Sequence, residues 1–219
     1  MTRLILVRHG EAEGNIMRRF HGQTNSQLTE NGHMQVKKLA ERMASERIDI
    51  LYSSDLSRAY QTAKYIAEKK NMDIHIVEGL REINGGDWED IPFAELPNKW
   101  PEIYRCWEDQ PHLAQLPNGE SMEGLQKRVV NEIMRLVKEN PNQNICVVTH
   151  GTVIKVLLCF FYGKPLENAV EIQWHDNASF TIVNVDDDHF HVVIEGDNQH
   201  LGELSTLAKQ DWWKKEKDA

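Results

Sequence analysis

Cysteine is scarce in this chain, and its spacing forms no recognisable pair. The 219 residues include three cysteines, Cys106, Cys146 and Cys159, and none belongs to a C-x-x-C motif. So few cysteines exclude a disulfide-rich scaffold. Because Cys146 and Cys159 stand in apolar runs, we expect buried free thiols and a cytoplasmic location.

An excess of positive charge and long hydrophobic runs are also missing. The formal net charge is −9, which argues against nucleic acid or an anionic membrane surface as a partner. No apolar stretch approaches the roughly 18 residues that a membrane span needs. Arg8 and His9 interrupt the first apolar run too early for a secretory signal. We therefore expect neither a nucleic-acid partner nor a membrane partner.

The order of the predicted elements indicates an α/β fold. A wholly apolar run at residues 4–7 predicts a central strand that is buried on both faces. Strands and helices then alternate, which implies a mostly parallel sheet with right-handed crossovers. Further strands are predicted at 48–52, 74–77 and 144–149, helices at 29–43, 55–70, 121–140 and 152–162, and an antiparallel edge hairpin at 178–185 and 189–195.

Two features refine this outline. Thr29 has the side chain of a helix N-cap, and residues 53–55, Ser-Ser-Asp, are expected to cap the next helix. Residues 79–120 break the alternation because they are rich in Pro, Asp, Glu, Asn and aromatic residues. We interpret them as a cap-like insertion of loops and short helices within a single domain that spans residues 1–219.

Polar residues cluster at the ends of the predicted strands and at the start of the helices that follow. Because the carboxyl ends of parallel strands meet at one edge of a sheet, these residues are expected to face one ligand. They are Arg8, His9, Gly10, Arg58, Glu82, His150 and Gly151.

This set of side chains suits phosphoryl transfer. Arginine binds phosphate oxygens in a bidentate fork, and a neutral imidazole can attack phosphorus and hold the phosphoryl group covalently. A neutral carboxylic acid can give a proton to the leaving alkoxide. No metal is required if protein cations neutralise the phosphate oxygens. Glu82 follows the third strand, but Glu11, Glu78 and Glu89 are close enough in sequence to compete for the role of the acid.

Four motifs contain these residues and follow one another along the chain. They are RHGEAEGN at 8–15, SSDLSRAYQTA at 53–63, LRE at 80–82 and VVTHG at 147–151. Together they resemble the motifs of the histidine phosphatase superfamily, the phosphoglycerate-mutase-like family, and the resemblance covers nearly the whole chain. It implies a three-layer α/β/α sandwich and a reaction that needs neither a metal nor an organic cofactor.

The resemblance also implies a role for each residue. His9 would be the nucleophile that becomes phosphohistidine, and Glu82 would be the general acid that protonates the leaving group. The phosphate would be bound by Arg8, Asn15, Arg58, His150 and Gly151.

Within this family the sequence favours a phosphatase. Mutases carry a basic-aromatic segment after the acid, whereas residues 83–90 read INGGDWED and are similar to the G-x-W-E-G segment of phosphatases, with Asp90 in place of the last glycine. PNGES at 117–121 also fits the branch of broad-specificity and alpha-ribazole phosphatases. A cofactor-dependent phosphoglycerate mutase is the alternative, and a non-catalytic relative that binds phosphorylated ligands is a third hypothesis.

The expected partner is a small phosphorylated metabolite. The aromatic composition of the insertion suggests a monoester with an apolar or ring-bearing leaving group. His21 and Trp88 are candidates for the substrate pocket. A packed loop is an equal alternative for His21, and packing within the insertion is the more common use of a tryptophan such as Trp88. Trp212-Trp213 and the hairpin edge are candidate contacts of a homodimer.

Overall fold

A six-stranded sheet is the centre of the computed structural model, which describes residues 1–186 and 189–209. The strands are β1 (Thr2–Arg8), β2 (Arg19–Phe20), β3 (Ile50–Ser53), β4 (His75–Ile76), β5 (Ile91–Pro92), β6 (Asn144–Thr149), β7 (Phe180–Asp186) and β8 (His189–Asp197). The α-helices are α1 (Glu13–Met17), α2 (Glu30–Met43), α3 (Ser57–Lys70), α4 (Leu96–Lys99), α5 (Pro101–Asp109), α6 (Met122–Glu139) and α7 (Gly151–Phe161). Short 3-10 segments lie at Glu78–Leu80, Gly86–Trp88, Phe93–Glu95, Pro111–Leu113, Leu166–Val170, Gly202–Leu204 and Leu207–Lys209.

Strand β1 lies inside this sheet and is paired on both sides. The strand order is β4-β3-β6-β1-β7-β8, in which the first four strands are parallel and β7 and β8 are added by antiparallel pairing. Leu4 and Leu6 are fully buried on one face, and Ile5 and Val7 on the other, because side chains alternate along a strand. The predicted parallel sheet with an antiparallel edge is confirmed.

Helices cover both faces of the sheet, which gives three layers. Helices α2 and α3 pack on the face of Ile5, and α6 and α7 pack on the face of Leu4. Helix α6 shows why these helices form, since Leu125, Val129 and Ile133 recur at helical spacing and are all fully buried. Burying each such side chain contributes roughly 1.5–3 kcal/mol to stability. The expected α/β/α sandwich is confirmed.

The two helix caps expected from the sequence have different outcomes. The Thr29 hydroxyl accepts a hydrogen bond of 2.9 Å from the backbone N–H three residues on, which confirms it as the N-cap of α2. The prediction that residues 53–55 cap α3 is wrong, because the N-cap is Leu56, and the N–H of Ser57 in the first turn donates to Oδ1 of Asn25 at 2.9 Å instead. The carboxylate of Asp55 is instead bound by the guanidinium of Arg81, with Nε 2.7 Å from Oδ1.

Residues 79–120 form short helices, 3-10 segments and loops. Within the described ranges this insertion adds no strand to the main sheet, and β5 pairs with β2 instead. Its aromatic side chains gather around Trp88, whose ring centroid lies 5.4 Å from that of Phe20 and 5.9 Å from that of Trp107. The assignment of residues 1–219 to a single domain stays a prediction.

Two expectations concern membrane insertion and contact with a second copy of the chain. Among the residues that the structure describes, no helix combines the length and apolar composition required to cross a bilayer. Strand β8 lies at the edge of the sheet, whereas Trp212 and Trp213 lie outside the described residues. The homodimer contact suggested by these features stays a prediction.

Candidate active site

A cavity of about 310 Å³ lies at the carboxyl ends of β1 and β6 and the start of α3. The parallel strands bring together residues that are far apart in the sequence. Of the residues predicted for the site, those that line the cavity are Arg8, His9, Asn15, His21, Arg58, Glu82 and Gly151.

The His9 ring is oriented by a hydrogen bond to its own neighbour. Its Nδ1 lies 2.7 Å from the carbonyl oxygen of Gly10. Because a carbonyl oxygen can only accept, Nδ1 carries the proton and Nε2 keeps a lone pair. Burial, followed by the positive charges of Arg58 and Arg8, holds the pKa of His9 well below its usual value of 6.5. The ring is therefore a neutral imidazole, the form that can act as a nucleophile.

Two buried guanidinium groups lie in the same cavity. Arg8 donates from Nη1 to the carbonyl oxygen of His175, while its Nε has no hydrogen-bond partner in the described part of the chain. Arg58 donates from Nη1 to the carbonyl of Thr24 at 2.9 Å and from Nη2 to that of Gly22 at 2.7 Å. Burial lowers the pKa of Arg58 to about 10, so the group is still cationic at neutral pH.

The loop that holds Arg58 is itself held by Glu89. The Oε1 atom of Glu89 accepts hydrogen bonds from the N–H groups of Gln23 at 2.7 Å and Gly85 at 2.8 Å. Its Oε2 atom accepts from the N–H of Thr24 at 2.6 Å. This carboxylate thus connects the insertion to the loop whose carbonyl groups fix Arg58.

His150 is fully buried against His9 and lies outside the lining of the cavity. The two ring centroids are 5.2 Å apart, and His150 Nε2 lies 2.9 Å from Oγ of Ser54. Burial, followed by the charge of Arg58, holds the pKa of His150 well below its usual value. The second predicted histidine is therefore a neutral ring that packs against the first.

Backbone N–H groups hold the carboxyl group of Glu82 in the cavity. Its Oε1 accepts from the N–H of Ile83 at 2.9 Å, and its Oε2 accepts from the N–H of Thr152 at 3.1 Å. Thr152 is the second residue of α7, where the backbone N–H groups have no partner within the helix. The carboxyl group therefore has a defined position beside the end of β6.

The competing carboxylates lie elsewhere. Glu11 accepts hydrogen bonds from the hydroxyl groups of Thr29 at 2.7 Å and Thr206 at 2.8 Å, and so connects α2 to the C-terminal segment. The side chain of Glu78 is 76% exposed. Of the four carboxylates considered for the acid, including Glu89, Glu82 alone lines the cavity.

Asn15 and Gly151 add hydrogen-bond donors to the cavity. The Oδ1 of Asn15 accepts from the N–H of Ala12 at 2.9 Å and from Nδ2 of Asn177 at 3.3 Å, which leaves the Asn15 amide N–H₂ for a ligand. Gly151 begins α7, and the N-terminus of a helix favours an anion. A Cβ atom at this position would lie 3.3 Å from Cζ of Arg8, so glycine leaves space beside the guanidinium.

The two candidates for the substrate pocket have different positions. His21 lines the cavity, and burial followed by the charge of Arg58 lowers its pKa. The prediction that Trp88 contacts substrate is wrong, because this residue is fully buried outside the cavity lining. Trp88 packs edge-on against Phe20, which does line the cavity.

Sequence reasoning missed several residues of the cavity. They include Arg18, Arg19, Thr152 and Trp174. Arg18 and Arg19 lie three and four residues after the end of the first motif, and this position could have indicated them. Trp174 lies between the 3-10 segment Leu166–Val170 and β7, in a stretch with no periodicity that would predict its role.

Comparisons with known proteins identify the family. The family described as Histidine phosphatase superfamily (branch 1) matches residues 4–198. Phosphoserine phosphatase 1 of Hydrogenobacter thermophilus is 34% identical over 208 residues, which cover 95% of this chain and 98% of the relative. The adenosylcobalamin/alpha-ribazole phosphatase of Escherichia coli K12 is 32% identical over 173 residues, which cover 79% of this chain and 83% of that protein. The structure of Bacillus stearothermophilus YhfR superimposes with a TM-score of 0.89 at 33% identity, covering 92% of this chain and 100% of YhfR.

The matched span includes every residue that lines the cavity. The two curated relatives named above are phosphatases, in agreement with the phosphatase interpretation of the sequence rather than the mutase alternative. With the fold and the four motifs also in agreement, the chain belongs to the histidine phosphatase superfamily and is a phosphomonoester hydrolase that acts on small phosphorylated substrates.

Proposed function

We propose that His9 is the nucleophile of this hydrolase and becomes phosphohistidine. The hydrogen bond from Nδ1 to the Gly10 carbonyl carries this proposal, because it leaves Nε2 with a lone pair in the cavity. In the first step the Nε2–P bond forms and the ester P–O bond breaks, while the leaving oxygen takes a proton from Glu82. In the second step water gives a proton to Glu82, its oxygen bonds to phosphorus, the Nε2–P bond breaks and inorganic phosphate leaves.

The charges of the cavity support this role. At about 4 Å and an effective dielectric constant near 20, one guanidinium–phosphate pair is worth about 4 kcal/mol before desolvation. Arg8 and Arg58 are already buried in the free protein, so the fold has removed them from water before a ligand arrives. Asn15 and the N-terminus of α7 offer further donors. We propose that these groups bind the phosphate. His150 was also predicted to bind it, but it lies outside the cavity lining, and we propose that it supports the His9 ring instead.

The pKa of His9 should be found well below 6.5 in the free protein, and Arg58→Ala should raise it. Burial and the two arginine charges disfavour the imidazolium, and removing one charge relieves part of that effect. His9 is therefore unprotonated and reactive throughout the pH range between its lowered pKa and 6.5. An NMR titration of the ring signals, assigned with His9→Ala, measures both values. A His9 ring that titrates near 6.5 would contradict the expectation.

We further propose that the leaving group carries a carboxylate. Arg18 lines the cavity, and its guanidinium makes no hydrogen bond or ion pair to any residue in the described ranges. Neighbouring Arg19 also lines the cavity, but it is paired with Asp90 at 3.0 Å. Arg18 is thus a cation left available for an anionic group beyond the phosphate. One relative is named a phosphoserine phosphatase, and phosphoserine has such a carboxylate.

Arg18→Gln should raise KM for O-phosphoserine about tenfold and leave KM for O-phosphoethanolamine nearly unchanged, as expected for one charge-assisted hydrogen bond. The two esters differ by the carboxylate alone, so their ratio isolates its recognition. Arg105→Gln is the matched control, since Arg105 is exposed on α5 outside the cavity lining. An equal change for both esters would show that Arg18 does not recognise the carboxylate.

Two expectations from the sequence remain, one on metal dependence and one on location. Hydrolysis should continue in the presence of EDTA, because the arginines rather than a metal neutralise the phosphate. We propose a cytoplasmic location, which the three free cysteines support.

A further inference from the structure

The segment that carries Glu82 has an unusual source of hydrogen bonds. The backbone carbonyl groups of residues 79–82 have no backbone donor in the described part of the chain, and all of them accept from side chains. Thr149 Oγ1 donates to the carbonyl of Leu80 at 2.8 Å, and Gln23 Nε2 donates to that of Glu82 at 3.1 Å. The other hydrogen bonds all come from one residue of α6, Arg128.

Arg128 holds three of these carbonyl groups at once. Its Nη1 lies 2.8 Å from the oxygen of Gly79 and 3.0 Å from that of Arg81, and its Nη2 lies 3.3 Å from that of Glu82. Glu120 fixes the other edge of the guanidinium, with Oε1 2.9 Å from Nε and Oε2 2.8 Å from Nη2. The side chains of Arg128 and Glu120 are only 26% and 19% exposed. A bidentate pair of this kind has a specific geometry.

We infer that Arg128 is a positioning residue that sets the place of the Glu82 carboxyl group. The inference rests on the proposed function of Glu82 as the acid. The Glu82 side chain contacts the N-terminus of α7, whereas its backbone is bound to α6. Its carboxyl group therefore keeps its place only if the segment keeps a fixed position between the two helices. A displacement of about 1 Å at a reacting group can cost as much as about 100-fold in rate.

Helix α6 contains a second arginine, Arg135, whose hydrogen-bond partners differ in kind from those of Arg128. Arg135 lies two turns further along α6 and bridges Glu132 at 2.9 Å and Glu139 at 2.7 Å, a surface arrangement. Lysine keeps the charge and the aliphatic stem but cannot form the planar fork. Arg128→Lys therefore removes the clamp with little other change, and Arg135→Lys is its matched control.

The experiment compares two esters that differ in their need for an acid. p-Nitrophenyl phosphate has a good leaving group, whereas O-phosphoserine leaves as a poor alkoxide that must be protonated. The value of kcat/KM reports the step in which the ester bond breaks. Arg128→Lys should lower kcat/KM about 10- to 100-fold for O-phosphoserine and less than about threefold for p-nitrophenyl phosphate. Arg135→Lys should change neither.

Two further variants make the test decisive. Glu120→Gln removes the counter-ion of the clamp and should produce the same selective loss, which keeps the inference testable if Arg128→Lys folds poorly. In the background of Glu82→Gln, adding Arg128→Lys should cause no further loss with O-phosphoserine, because the two residues act through one proton. Equal losses with both esters, or additive losses in the double variant, would overturn the positioning role.

Glu82→Gln alone separates this inference from the proposed function. If Glu82→Gln slows both esters equally, Glu82 is not the acid, and the inference falls with that assignment. If Glu82→Gln is selective for O-phosphoserine but Arg128→Lys and Glu120→Gln are not, Glu82 remains the acid and only the positioning role is wrong.

Discussion

Replacing His9 with alanine should lower turnover by about 10⁴-fold or more and abolish the covalent phosphoenzyme, since the variant lacks the nucleophile. The neighbouring histidine cannot substitute for it, because His150 is fully buried and lies outside the lining of the cavity. Rapid quenching with ³²P-labelled substrate measures the phosphoenzyme. Label on the parent protein should be lost in acid and kept in alkali, as expected for a phosphoramidate.

The control for this experiment is another histidine of the same chain. His33 is exposed on α2, and its Nδ1 lies 3.1 Å from the hydroxyl of Tyr65. His33→Ala should keep both turnover and label. Persistence of the acid-labile label in His9→Ala would assign the nucleophile to another residue.

Arg58→Ala should reduce kcat/KM by about 10³-fold, which corresponds to the roughly 4 kcal/mol of one charge pair at an effective dielectric constant near 20. Its charge acts on the phosphate in the ground state and in the transition state, so KM should rise while kcat falls. Steady-state kinetics with p-nitrophenyl phosphate measures both values. Arg58→Lys should recover only part of the loss, because an ammonium group cannot replace the fork.

Stability must be followed in the same variant. Removing Arg58 leaves the buried carbonyl group of Gly22 without its donor, at a cost of about 1–3 kcal/mol, and also frees the partly buried carbonyl group of Thr24. The kinetic comparison therefore belongs well below the Tm of Arg58→Ala. Lys64→Ala is the control on the same helix. Lys64 is exposed, and its ion pair with Glu68 is long, with 3.9 Å between Nζ and Oε1. An Arg58→Ala protein with parental kinetics would limit Arg58 to a structural role.

The parts of the fold that could be predicted from the sequence depend on short-range patterns. Four successive apolar residues at 4–7 indicate a strand with both faces covered, and β1 has this environment. Thr29 could be assigned because a cap depends on residues only three positions away. The arginines and histidines of the cavity could be grouped because strand ends in a parallel sheet share one edge.

The parts that could not be predicted depend on partners far away in the sequence. From the sequence, Asp55 is a candidate for an N-cap. In the structure its carboxylate is bound by Arg81 instead, and only the tertiary fold brings these two residues together. The amino-acid composition around Trp88 is the same whether this residue contacts substrate or packs edge-on against Phe20, as it does in the structure. Arg128 looks like a solvated helix residue, and its hydrogen bond to Gly79 joins positions 49 apart. No local pattern contains such information.

The double pairing of β1 has a consequence for how the enzyme loses activity. The strand pairs with β6 over residues 3–8 and with β7 over residues 2–7. Slipping by one residue would reverse every side chain, exchanging the residues packed on the two covered faces and the directions of Arg8 and His9. The core and the nucleophile therefore require the same register. Because a doubly paired core strand opens only in global unfolding, we expect thermal inactivation of this enzyme to coincide with global unfolding.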